Sequence, residues 1–367
     1  MNMGREAGGE GSRRIEAIQM LRAVTATLVV LTHTWIFTAG LARRMGIAMP
    51  PPGITGGGRM DMFFIISGFI MIYSSKKLFG RPGARALFWK RRLIRVGPLY
   101  CLATITFAWW LWRVGKPADP ALVAASLAFL PYNSAGDTGY VVPLIDAGWT
   151  LNYEILFYLV LGASLSLNAG RTVAIAAGAL AGLVLIGPLV ADWGVAPFAW
   201  TRPILLQYVA GMGVALLVAR GVQLPSRLRA VMIIFGTALF LCQLTAHFPH
   251  WQGWERTLSG GIPALLVFSG CVLGPMKLPL GRVWEVLGDI SYSLYVWHMP
   301  ILVVLMHLYT RVGLPYSAFG YAIGALVVVY AASAASYYVF ERPVTRYLNA
   351  RFTPRVASDE RLEISGV

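Results

Sequence analysis

Long apolar runs separated by short polar, glycine- or proline-containing breaks recur along this chain, and polar residues gather at the breaks instead of alternating through the runs. Runs of helix-spanning length fall at 17–37, 61–75, 96–112, 149–167, 172–190, 201–219, 230–247, 258–273, 287–309 and 317–340. A bilayer core is crossed by about 20 residues of helix. The pattern therefore predicts an all-α fold, a polytopic bundle of ten transmembrane helices. The apolar piece 121–130 is only about half that length and reads as re-entrant or interfacial. It lies in the longest outer loop, 113–148, whose Pro, Gly, Asp and Asn content suits a lid over a site. Residues 1–14 are expected to form a disordered tail and not a cleaved signal, 15–347 the membrane domain, and 348–367 a second disordered tail.

The basic residues orient this bundle. With the N-terminus in the cytoplasm, 22 of the 31 Lys and Arg residues fall on inner segments and eight on outer ones. That positive-inside bias predicts both termini in the cytoplasm. Composition agrees: 57% hydrophobic, 13% charged and a mean hydropathy of +0.63 exclude a soluble domain and make lipid the surrounding partner. The formal charge of +15 is then topology. A nucleic-acid footprint would be a soluble basic patch, so no nucleic-acid partner is expected. Cys101, Cys242 and Cys271 lie in spans without ligand spacing, which argues against a disulfide framework or a zinc site.

Ionisable residues inside spans are costly and mark candidate chemistry. Arg22 and His33 share the first span; eleven residues make about three turns, so both project from one face, about 16 Å apart along the axis. A neutral imidazole at His33 could take a proton from a hydroxyl and return it to a leaving group, or it could be a structural histidine bonded to a neighbouring helix. Arg22 could hold a phosphate or pantetheine group, or form a buried ion pair. Glu154 is the only acid of the fourth span, entered from outside at a depth close to that of His33. It could orient His33, bind an acceptor, or serve as a counter-ion. Tyr158 follows one turn later on the same face. Arg92 and Arg95, three apart at the start of the third span, form a pair whose forks suit phosphates; most of the neighbouring cations are positive-inside anchors. Tyr292, Tyr295 and His298 make a polar-aromatic stripe that could line a sugar or acyl channel or form an interhelical hydrogen-bond face. Ser67 and Gly68 read as small packing residues rather than a nucleophile, since no Gly-x-Ser-x-Gly elbow surrounds them. At the exit of the last span, Glu341 and Arg342 before Pro343 read as an ion pair and a helix stop.

Several of these segments resemble, in order, the acyltransferase-3 membrane family: Gln19-Met20-Leu21-Arg22 through His33, Phe63-Phe64-Ile65-Ile66-Ser67-Gly68-Phe69, Lys90-Arg91-Arg92-Leu93-Ile94-Arg95, Trp149-Thr150-Leu151-Asn152-Tyr153-Glu154, and Gly288-Asp289-Ile290-Ser291-Tyr292-Ser293-Leu294-Tyr295. The first and third look most similar to the exopolysaccharide-acetylating branch. The resemblance implies a multi-pass enzyme of the bacterial inner membrane, moving an acyl group, most simply acetyl, from cytoplasmic acyl-coenzyme A to a saccharide hydroxyl. Acetyl-CoA would be a donor substrate and no bound cofactor is implied. His33 and Glu154 would be catalytic, Arg22, Arg92 and Arg95 would bind the donor, and Tyr158, Tyr292, Tyr295 and His298 would face the acceptor. Many family members carry an Asp where Gln19 and Met20 stand here. A transporter or flippase of a lipid-linked saccharide would also use buried charges, but its inverted repeats are not found. A non-catalytic scaffold would gain nothing from isolated buried charges.

Overall fold

The computed structural model describes residues 3–47, 58–133, 141–165, 167–242, 253–312 and 317–353. Every regular element among them is helical: α1 (Met3–Arg44), α2 (Gly58–Ser74), α3 (Ala84–Arg113), α4 (Pro120–Leu127), α5 (Trp149–Ser164), α6 (Ala169–Val190), α7 (Val195–Trp200), α8 (Leu206–Ala219), α9 (Ser226–Cys242), α10 (Trp254–Val272), α11 (Gly281–Val312), α12 (Ala318–Ser336) and α13 (Arg342–Phe352). Each of the ten expected spans falls on one of these helices, though residues 243–247 of the seventh lie outside the described ones. Five helical stretches among the described residues are long and apolar enough to cross a membrane: Arg14–Arg44, Ala84–Arg113, Ala169–Trp193, Gly281–Val312 and Ala318–Phe352. Met60–Ser74 and Pro203–Ala219 are apolar but shorter.

Small residues bring the inner helices together. On α2, a Cβ at Gly68 would meet the backbone carbonyl of Tyr208 on α8; on α8, a Cβ at Gly211 would meet that of Ile65 on α2. The two backbones thus touch reciprocally, the close approach that substitutes for a hydrophobic driving force in lipid. A buried pair, Arg256 Nη2 to Asp61 Oδ2 at 3.0 Å, ties α10 to α2. Along the other side α1 lies against α11, and α12 packs on both. The expected re-entrant piece is α4, fastened to α3 by Phe129 stacked on Tyr100 with centroids 5.0 Å apart, and to the approach to α5 by Ser126 Oγ accepting from Leu144 N at 2.9 Å.

α1 runs without a break from Met3 to Arg44, so residues 3–14 of the expected tail continue the first span as helix. Arg14 secures that extension by donating from Nε to the carbonyl of Val272 at 3.0 Å, one of the end carbonyls that α10 leaves without an intrahelical partner. The C-terminal tail is helical as far as Phe352, and 354–367 lie outside the described residues. The helix stop at Glu341 and Pro343 is instead a join. Tyr337–Glu341 form a π-helical turn, and α13 follows at once with Pro343 in its first turn, where a missing N–H costs nothing. Inserting a residue turns Glu341 into the bundle, where it is 2% exposed.

Candidate functional site

A cavity of about 140 Å³ lies among α1, α2, α3, α5, α8 and α11. Seven of the nine residues singled out from sequence line it: Arg22, Arg92, Arg95, Glu154, Tyr158, Tyr292 and Tyr295. His33 and His298 do not, and form a separate pair along the seam of α1 and α11.

Glu154 is held by two hydroxyls. Ser67 Oγ donates to Oε1 at 3.0 Å, and the Tyr158 phenol donates to the same oxygen. The backbone of Tyr158 is fixed in turn, its carbonyl accepting from Trp89 Nε1 at 2.9 Å. Ser67 therefore supports the carboxylate, a role that its spacing to Glu154 could not reveal, because the two sit on different helices. α5 is preceded by a 3₁₀ turn, Asp146–Gly148, and its first residues, Trp149 to Tyr153, are buried. Glu154 shares its cavity with the arginines.

The three arginines differ in what compensates them. Arg22 Nη1 donates to Gln19 Oε1 at 3.0 Å, and Gln19 Nε2 donates to Asp289 Oδ1 at 2.7 Å, so a carboxylate is reached through an amide. Gln19 stands one helical turn before Arg22, and that spacing could have identified it. Arg95 is ion-paired with Glu341, whose other oxygen accepts from Ser293 Oγ at 2.5 Å. Arg92 makes one long contact, Nη2 to Ser74 Oγ at 3.4 Å, and its buried Nε has no partner among the described residues. A buried donor without a partner costs about 1–3 kcal/mol. Arg92 is thus the guanidinium best placed to gain from an anionic ligand.

The tyrosines of the α11 stripe are interhelical ties that also face the cavity. Tyr292 donates to the Val96 carbonyl at 2.7 Å, and Tyr295 donates to the Ala147 carbonyl at 2.5 Å while lying 2.8 Å from Thr150 Oγ1. Tyr295 stands at the boundary between the two regions, lining the cavity on one side and packing its ring on His298 with centroids 5.8 Å apart. His298 is fully buried, with Nδ1 2.7 Å from the Tyr295 carbonyl and Nε2 3.2 Å from His33 Nδ1. Tyr208, missed in the sequence, also lines the cavity; its ring is stacked on Phe157 at 4.3 Å and its buried hydroxyl has no partner among the described residues.

A multi-helix bundle with an arginine-rich cavity, a hydroxyl-bound carboxylate and an adjoining histidine pair fits a membrane protein with a buried polar site. The acyltransferase-domain family profile matches residues 15–338, nearly the whole bundle, and the chain belongs to the acyltransferase-3 family of membrane proteins. It is similar to the exopolysaccharide production protein ExoZ of Rhizobium meliloti (strain 1021), with 31% identity over 315 residues, covering 81% of this chain and 92% of the relative. It is also similar to the "Putative membrane-bound transacylase BcsY" of Komagataeibacter xylinus, with 28% identity over 363 residues, covering 90% of this chain and 83% of that relative. No solved structure matches it.

Proposed function

We propose that this protein spans the bacterial inner membrane ten times with both termini in the cytoplasm, and transfers an acyl group, most simply acetyl, from cytoplasmic acyl-CoA to a hydroxyl of an exported polysaccharide or its lipid-linked precursor. The observation that carries this reading is the cavity, where three arginines converge and Arg92 has no ion pair with a carboxylate among the described residues. Guanidinium forks suit the phosphates of coenzyme A, and the family and its exopolysaccharide relative support transfer to a saccharide.

In this reading Arg92 and Arg22 hold the phosphate end of the donor and the thioester extends along α1 toward His33. His33 removes the hydroxyl proton as the saccharide oxygen attacks the thioester carbonyl. A C–O bond forms, the C–S bond breaks, and the proton passes from the imidazolium to the departing thiolate, leaving His33 neutral. Glu154, held by Ser67 and Tyr158, supplies an acceptor for a ligand hydroxyl or amide in the cavity. The test is acyl transfer by purified protein in lipid, from labelled acetyl-CoA to saccharide. Label should appear in the glycan with the wild type and be lost with His33→Ala. A protein that moves lipid-linked saccharide between leaflets without labelling it would establish a flippase instead.

A further inference from the structure

We propose that His298 is a positioning residue that fixes the tautomer of His33, placing the basic lone pair on Nε2. The inference rests on the reading of His33 as the proton acceptor, and replaces the expected contact between His298 and the acceptor.

Two backbone carbonyls determine the proton positions. A carbonyl only accepts, so the His298 nitrogen 2.7 Å from the Tyr295 carbonyl, Nδ1, carries a hydrogen. Neutral His298 then has its lone pair on Nε2, the atom 3.2 Å from His33 Nδ1. On the other ring, His33 Nδ1 lies 3.0 Å from the Val29 carbonyl, so it too must donate. A single N–H on His33 Nδ1 satisfies both acceptors as a three-centre bond. These three contacts are consistent with one assignment: Nδ1–H on both rings, which puts the lone pair of a neutral His33 on Nε2.

Chemistry follows from this order. When His33 Nε2 takes the hydroxyl proton, its Nδ1–H keeps donating to a neutral His298, now as a charge-assisted bond that shares the new cation. A buried carboxylate in that place would be a second charge needing its own compensation in a bilayer; a neutral imidazole is not. The Val29 carbonyl alone would leave the ring less constrained, because it lies on the same helix one turn away. His298, from α11, sets the ring plane from outside, with centroids 5.0 Å apart and planes at 43°. The seam of α1 and α11 thus turns a lone intramembrane histidine into an oriented base.

The test uses the full-length protein in lipid nanodiscs, with His298→Asn and His298→Gln. Asparagine can still donate to the Tyr295 carbonyl but is too short to reach His33; glutamine can present an acceptor near the position of Nε2. The expected result is a fall in kcat of about 10- to 100-fold for His298→Asn, a part of the general-base contribution. KM for the saccharide should be unchanged, and His298→Gln should recover most of the rate. In ¹⁵N-histidine NMR spectra, assigned with the His33→Ala variant, His33 should carry its proton on Nδ1 in the wild type and His298→Gln, and give a mixture of tautomers in His298→Asn. Equal kcat in the two variants, a raised saccharide KM in place of a lowered kcat, or an unchanged tautomer in His298→Asn would each overturn the proposal. Undiminished turnover by His33→Ala would instead refute the catalytic reading itself, and the tautomer assignment would still be read from the spectra.

Discussion

The arginine cavity and the histidine pair solve the same problem, polar groups inside a bilayer protein, by opposite means. In the cavity the partners are side chains, some one turn away and some from distant segments: Tyr158 and, from α2, Ser67 for Glu154; Gln19 and, through it, Asp289 of α11 for Arg22; and Glu341 for Arg95. At the seam the fixed points are backbone carbonyls one turn away on the same helix, Val29 for His33 and Tyr295 for His298. The charges are compensated by side chains, partly from across the fold, whereas the neutral rings are anchored by backbone carbonyls of their own helices and then meet each other across the seam. The cavity is therefore suited to exchange partners when a charged ligand enters, and the seam to hold one geometry through a catalytic cycle.

The comparison breaks most sharply at His33. His33→Ala should lower acyl transfer by about 10²- to 10⁴-fold while insertion and donor affinity stay normal, because the loss is of a proton acceptor. Rates from labelled acetyl-CoA, beside a binding measurement on the same protein, check this.

Within the cavity, Arg95 and Arg92 should separate. Arg95→Ala leaves Glu341 buried against Ser293 without its cation, a type of change that costs about 3–5 kcal/mol. A clear drop in thermal stability is expected, relieved by adding Glu341→Gln. Arg92→Ala breaks no ion pair among the described residues, so stability should hold while KM for the donor rises by about 10- to 100-fold, the worth of one charged hydrogen-bonding group at about 1.5–3 kcal/mol. Arg92→Lys should recover only part of that affinity, since it lacks the fork. Thermal shift and donor titration of the same variants show whether the two arginines differ as their partners do.

The smallest effect is expected from Ser67→Ala. Glu154 keeps its bond from Tyr158, so the loss is of one neutral donor worth about 1 kcal/mol, a several-fold fall in turnover. A complete loss of activity would indicate a larger role for Ser67 than support of the carboxylate.

What the sequence revealed follows the same division. Positions of helices were readable because apolar length is a local property, and Arg22, Arg92, Arg95, Glu154 and the tyrosines were readable as polar groups where lipid tolerates few. Their pairings between helices were not. Nothing local links Glu341 to Arg95, 246 residues away, or Ser67 to Glu154. The π-turn at Tyr337–Glu341 was hidden for the same reason: Pro343 reads as a helix stop until the inward turn of Glu341 toward Arg95 supplies the cause of the extra residue. His33 and His298 were each visible, but their contact required the packing of α1 on α11.

The most direct test of a donor cavity served by a separate base is to measure acyl-CoA binding and saccharide acylation side by side in two reconstituted variants. His33→Ala should bind acyl-CoA as the wild type does and transfer nothing measurable, whereas Arg92→Ala should bind weakly yet transfer at saturating donor. Wild-type transfer by His33→Ala, or unchanged donor affinity in Arg92→Ala, would contradict it.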